Sequence, residues 1–312
     1  MRIAVVGGFG VGMTMQVDRI PGSGETMAGG RLSIGPGGKG SNQAIGARRL
    51  GAQVALLSAV GSDQFGIDAR RLWQAEGVQA DSVITTPGST MAGFILVEPD
   101  GENRILLAEG ALLDFGPTNI DACRSQIQAA DLVVVSLEVP LATAIHALQV
   151  AHELGTRTLL NPAPAPSTPI ADEVWQTVDY VTPNRTEVDI LLGPAARGSS
   201  RKRAEALQRR TGTTVILTLG AQGAIVVTAD ATVVVPAAPS GPVVDSTGAG
   251  DAFTAALAVG LAGGEPLVAA VRYAALAGAH AVGIRECVPA LPYRADLQAA
   301  ALRGMNPDGG DR

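Results

Sequence analysis

Short apolar runs that alternate with longer amphipathic stretches constrain this chain more than any other feature. Residues 3–7, 54–60, 132–136, 157–161, 180–182 and 214–218 are such runs, and stretches with helical spacing, such as 141–154, lie between them. Uninterrupted apolar runs are what strands buried on both faces require, and helical crossovers between them make the sheet parallel. The pattern predicts an α/β fold of three layers, a mostly parallel central sheet with helices on both faces and ligands at the carboxyl ends of its strands. Segments 13–34 and 91–107 break the alternation with pairs of short strands and turn residues such as Pro99-Asp100-Gly101, which predicts a small β-sheet lid inserted beside the ligand end. The α/β core then comprises residues 1–12, 35–90 and 108–302, and the polar, glycine-rich residues 303–312 read as a disordered tail.

Composition removes several classes of function. A hydrophobic content of 46% over 312 residues is enough for a sizeable core. The net charge of −6, with Arg201-Lys202-Arg203 as its one basic run, argues against nucleic acid as a partner. Residues 252–264 and 267–284 are apolar enough to suggest membrane spans, but Glu265-Pro266 separates them, Arg272 interrupts the second, and small residues dominate. Two helices buried against a sheet are expected instead, with no membrane partner. Met1-Arg2 leads directly into Ile3-Ala4-Val5-Val6, as in an unprocessed cytoplasmic protein, and Cys123 and Cys287 have no metal-ligand spacing and read as reduced, packed thiols.

The stretch Asp245-Ser246-Thr247-Gly248-Ala249-Gly250-Asp251 follows the strand-like Val243-Val244 and opens a helix from Ala252. Gly248, Ala249 and Gly250 leave backbone N–H groups open at a helix N-terminus, which suits an anion such as a phosphate. Asp251 would repel a static phosphate, so its place there makes sense for a base that takes a proton from an attacking hydroxyl; a plain helix cap is the other reading. Gly35-Pro36-Gly37-Gly38-Lys39-Gly40-Ser41-Asn42-Gln43-Ala44 contains G-x-G-x-x-G, but it follows the inserted segment instead of the first core strand, where a dinucleotide fingerprint belongs. It reads either as backbone, Lys39 and Asn42 arranged around a polyol or as a tight turn with an exposed lysine. Residues 7–14 imitate a Walker A loop with Met13 in place of the lysine, which rejects a P-loop enzyme. Glu138, Asn161, Asn184 and Glu187 sit at other strand ends, where caps and ligand groups look alike in sequence.

With these residues together, the chain resembles the ribokinase-like (PfkB) family of sugar kinases from about residue 3 to 302. The stretch 37–44 resembles that family's substrate signature and 245–253 its phosphate signature, in the right order. The resemblance implies an ATP-dependent kinase that transfers the γ-phosphoryl group to a hydroxyl, a primary one, of a small sugar or sugar-like alcohol. It implies Asp251 as catalytic base with the Gly248, Ala249 and Gly250 amides as anion hole. Asn184-Arg185-Thr186-Glu187 resembles the N-x-x-E element, with Glu187 holding magnesium through water. Asn184, Thr218, Gly220 and Gly223 take nucleotide-binding positions, Gly10, Gly12, Gly38, Lys39, Asn42 and Glu138 substrate positions, and Asp245 and Thr247 those of an activating monovalent cation, potassium. It also implies a homodimer paired through the lid.

Two departures refine the expectation. Ribokinases carry an Asn and, two residues on, a ribose-binding Asp where this chain has Gly10 and Gly12. A lost charge-assisted bond costs roughly 1 to 3 kcal/mol, so ribose is expected to lose on the order of 10²-fold in favour of a bulkier or less hydroxylated acceptor. Glu286 stands where ribokinases have a glycine in the cation loop. A nucleoside or phosphosugar kinase of the same fold is the alternative substrate class, and a non-catalytic sugar or nucleotide sensor is the alternative outside enzymes; a sensor would have no need of Asp251.

Overall fold

The computed structural model describes residues 1–99 and 103–305. Its strands are β1 (Arg2–Val6), β2 (Gly10–Gln16), β3 (Arg31–Gly37), β4 (Gln53–Leu57), β5 (Ala59–Gly61), β6 (Ile84–Thr86), β7 (Met91–Val97), β8 (Asn103–Ala108), β9 (Leu132–Ser136), β10 (Thr158–Asn161), β11 (Tyr180–Val181), β12 (Thr214–Thr218), β13 (Ala224–Val227) and β14 (Thr232–Val235). The α-helices are α1 (Lys39–Arg49), α2 (Gln64–Glu76), α3 (Pro117–Ala122), α4 (Arg124–Gln128), α5 (Leu141–Glu153), α6 (Arg185–Leu192), α7 (Ser200–Thr211), α8 (Ala249–Ala262), α9 (Leu267–Ala281), α10 (Cys287–Ala290) and α11 (Arg294–Met305). An eight-stranded sheet runs β14-β13-β12-β11-β10-β9-β1-β4. It is parallel from β4 to β12, with β13 and β14 antiparallel at one end.

Alternation along the strands divides the core into two layers. Ile3, Val5, Leu132 and Val134 pack with α1, α8 and α9, whereas Ala4, Val6, Val133 and Val135 pack with α5 and α7. Both faces of the central strands β1, β9 and β10 are buried, which is why the sequence shows unbroken runs there. The two most apolar segments are α8 and α9, packed against each other; a Cβ on Gly260 would lie 2.8 Å from Ala270 Cβ, so small residues set their spacing. No helix among the described residues is long and apolar enough to cross a membrane.

A four-stranded sheet, β3-β2-β7-β8, forms the insertion. Its strands begin at Gly10 and return to Gly37, so residues 10–12 and 35–37, assigned from sequence to the core, belong to it. The run 54–60 is not one strand: it breaks at the buried Ser58, and β5 leaves the main sheet to pair with β6. Val243-Val244 is not a strand either. Both residues are exposed, and the Val244 and Asp245 amides donate to the Val282 carbonyl. α11 runs to Met305, into the segment read as a tail. The turn residues Asp100 and Gly101 and tail residues 306–312 lie outside the described residues.

Candidate active site

The carboxyl ends of β1, β9, β10, β11 and β12 converge on the N-termini of α1, α6 and α8, as parallel topology requires. α1 begins after Gly38, whose φ of 89° suits glycine and whose Cβ would strike Phe9 Cα at 2.6 Å. No side chain of α1 caps its start. Glu138, two residues past β9, does so from outside: its Oε2 accepts the Lys39 amide at 2.6 Å and the Gly40 amide at 3.2 Å. Burial pushes the Glu138 carboxyl up to about 7, against the opposing charge of Lys39. Burial by itself lowers the Lys39 ammonium, but Asp251, Glu138 and Glu187 outweigh it and hold the lysine pKa above its ordinary value. Lys39 is therefore a partly buried, charged group among three carboxylates.

Asp251 is in the first turn of α8 and 8% exposed. It is not the cap, because the N-cap is Gly248, in left-handed conformation with φ of 81°. Its Oδ2 accepts Asn42 Nδ2 at 2.8 Å and its Oδ1 accepts Gln43 Nε2 at 3.1 Å. Two amides on α1 thus fix a carboxylate on α8, and the Asn42 Oδ1 and Gln43 Oε1 atoms are buried without a partner. Of the three amides expected from sequence to hold an anion, Ala249 donates weakly to Ser246 O at 3.3 Å, and a Cβ on Gly250 would meet open space. Glycine at 250 keeps the approach to the helix N-terminus clear.

Asn184 caps α6 through a reciprocal box: Asn184 Oδ1 accepts the Glu187 amide at 2.9 Å and Glu187 Oε2 accepts the Asn184 amide at 2.8 Å. Burial raises the Glu187 carboxyl above its usual range, opposed by the Asn184 amide and Lys39. Thr218 donates its amide to Pro183 O, tying β12 to the same corner, and Arg185 hydrogen-bonds Gln222 in the following loop. Gly220 and Gly223 have φ of 59° and 85°, and a Cβ on Gly223 would lie 2.1 Å from Val235 O, so that loop packs onto the segment after β14. Beyond it opens a cavity of about 940 Å³ between residues 236–241 and α9, lined by Pro236, Gly241, Arg272, Leu276 and His280. No motif marks this cavity in the sequence, because its walls come mainly from two separate segments, residues 236–241 and α9.

Asp245 lies three residues before Gly248, the N-cap of α8. Burial alone would raise its carboxyl, but the Thr247 hydroxyl and amide, the Glu286 amide and the Arg285 charge outweigh that and keep it low. Its oxygens accept the Thr247 amide at 2.9 Å and the Glu286 amide at 3.0 Å. Glu286 has φ 65° and ψ 160°, a conformation nearly reserved for glycine that stores roughly 1 to 3 kcal/mol. Glu286 thus holds the backbone shape that a glycine would take without strain.

Gly10 and Gly12 differ from expectation. Space at Gly10 is closed, since a Cβ there would lie 2.6 Å from Met91 Cε, and Met91 is itself buried. The absent side chain at Gly10 therefore leaves no free space, because Met91 fills it. Gly12 is open: its nearest neighbours to a Cβ are Ile95 Cδ1 at 3.8 Å and Gly35 O at 3.9 Å. Two further polar groups complete the centre and were not singled out as site residues. Gln43 Nε2 also donates to Asn161 Oδ1 at 3.0 Å, linking β10 to Asp251, and Cys287 Sγ is 4.0 Å from Asp251 Oδ2. Burial of two adjacent amides in a helix of small residues is the signal that could have found Gln43.

Comparison with known proteins agrees with this architecture. Residues 2–293 match the pfkB family carbohydrate kinase family. The chain is 34% identical over 304 residues to a ribokinase of Schizosaccharomyces pombe, covering 94% of this chain and 95% of that one. It is 34% identical over 286 residues to a deoxyribokinase of Salmonella typhimurium, covering 90% and 92%. The structure of Arabidopsis thaliana ribokinase complexed with ribose and ATP superposes with a TM-score of 0.88 at 26% identity, over 96% of this chain and 97% of that one. The buried carboxylate at a glycine-lined helix start, the α/β scaffold that carries it and the match across nearly the whole length have one common reading: this chain belongs to the PfkB family of carbohydrate kinases.

Proposed function

We propose that the protein transfers the γ-phosphoryl group of ATP to a primary hydroxyl of a small sugar or sugar alcohol, with Asp251 as the base. The observation that carries this reading is a buried carboxylate whose two oxygens are oriented by Asn42 and Gln43 beside the open N-terminus of α8. Asp251 takes the hydroxyl proton as the oxygen attacks, and the Gly248 and Gly250 amides face the charge on the transferred group. The base of ATP occupies the cavity along α9, its phosphates run past Thr218, Gly220, Gly223 and Asn184, and Lys39 neutralises charge between donor and acceptor. The acceptor lies among Gly38, Lys39, Asn42 and the lid, with Glu138 free to use Oε1.

Glu187 keeps Oε1 outside the capping box, and a hard oxygen of this kind fits magnesium through its waters. Magnesium, when bound, neutralises phosphate charge. Asp245, kept ionised, and Thr247 are oxygen donors that fit potassium in the same way. Gly12 supplies no acceptor, so ribose is a poorer substrate than a bulkier or less hydroxylated acceptor such as a deoxy sugar. Two lids pair in a homodimer, and the ATP requirement with two free cysteines suits the cytoplasm.

ADP release measured over pentoses, deoxypentoses, hexoses, polyols and nucleosides tests the reading. Asp251→Asn should lower kcat by about 10² or more with ATP binding nearly unchanged. A mutant with wild-type turnover would remove Asp251 from the base role.

A further inference from the structure

Cys287 is the buried group closest to the base that phosphoryl transfer does not call for. It is the first residue of α10, and its Sγ lies 4.0 Å from Asp251 Oδ2. The same sulfur occupies the space beneath Gly248, where a Cβ would come within 2.4 Å of it. Glu286, immediately before, adopts its glycine-like conformation while its amide holds Asp245 Oδ2 at 3.0 Å. One dipeptide therefore touches the phosphate loop at Asp245, Gly248 and Asp251.

The sulfur is not a nucleophile. Burial, with the charge of Asp251 added, pushes the Cys287 thiol far above its usual range, and the opposing Lys39 does not reverse this. It stays protonated, able only to fill space and to donate weakly.

We infer that Cys287 is a positioning residue for phosphoryl transfer, wedged under Gly248 and donating to Asp251 so that the anion hole and the base keep one relative placement. The inference rests on Asp251 being the base. Because the wedge orients groups without touching ATP or the acceptor, its removal acts on turnover and leaves substrate binding alone.

Cys287→Ala and Cys287→Ser are compared with wild type by kcat, both KM values and thermal midpoint. The alanine variant is expected to lose about tenfold in kcat with each KM within about twofold, and serine, which keeps a donor, to recover to within about threefold. Wild-type kcat in Cys287→Ala, a loss confined to KM, or serine no better than alanine would overturn the inference. Should neither variant fold, the infrared S–H stretch of Cys287 in a Cys123→Ala background decides. A shift of that band on Asp251→Asn supports the contact, and an unmoved band refutes it. A wild-type enzyme that phosphorylates no acceptor would count against the proposed function, while the infrared comparison would still judge the wedge.

Discussion

Under the proposed function, acceptor choice turns on Gly12. Its neighbour two positions back is packed shut by Met91, but a side chain at 12 would meet only ordinary contacts with Ile95 and Gly35, so Gly12→Asp is sterically tolerated. A restored carboxylate facing the acceptor should raise kcat/KM for ribose by about tenfold or more, since a charge-assisted hydrogen bond contributes roughly 1.5 to 3 kcal/mol. Gly12→Ala should leave it unchanged. Equal effects of the two substitutions would mean that space, not charge, sets ribose activity. The meeting of Asn42 with Asp251 was foreshadowed in the sequence, because both lie in glycine-rich stretches that open helices at the ligand end of a parallel sheet. The roles of Gln43, Asn161 and Cys287 were not, because each depends on contacts 36 to 208 residues away along the chain. Gly10 and Gly12 look alike in sequence although Met91 fills the space at one and the other is open, since the absence of a side chain looks the same in both cases.

The start of α1 is the element where stability and site chemistry meet. Glu138 holds it by two backbone amides, yet burial raises that carboxyl from 4.5 to about 7. A raised carboxyl binds more protons in the folded than in the unfolded chain between those values, so its contribution is present below 4.5 and is lost as pH rises through about 7. The thermal midpoint of the ligand-free wild type should therefore fall, relative to that of Glu138→Gln, as pH is raised from about 4.5 to about 8, because glutamine keeps an acceptor but does not titrate. Parallel midpoint curves across that range would show that Glu138 titrates normally. At this scale the sequence was informative where an element had a pattern of its own, as with the runs at 132–136 and 214–218, which are strands with those same ends. It was uninformative where tertiary pairing decides: one apolar run became β4 and β5 in two sheets, and Val243-Val244 stayed irregular because Val282 takes its backbone bonds.

At the scale of the whole molecule the lid presents an apolar surface to solvent. Its edge strand β8 exposes Ile105, Leu106 and Leu107, and Phe94, Leu32 and Ile34 extend the apolar surface across the sheet. An apolar edge strand is a liability unless covered, and a second copy of the lid would cover it. Light scattering at micromolar concentration should give a dimer, and Leu106→Glu should give monomers with an intact far-UV spectrum; a fully active wild-type monomer would contradict lid pairing. The layered core was legible because buried parallel strands leave unbroken apolar runs, whereas the extent of the lid was not, since Gly10, Gly12, Gly35 and Gly37 carry no strand signal. The central claim, that this fold moves phosphate from ATP to a sugar hydroxyl, is tested most directly by phosphorus NMR of wild-type enzyme with ATP and the best acceptor of the panel. A sugar phosphomonoester resonance growing in step with ADP is the predicted result. ADP accompanied only by inorganic phosphate, or no turnover with any acceptor, would contradict it.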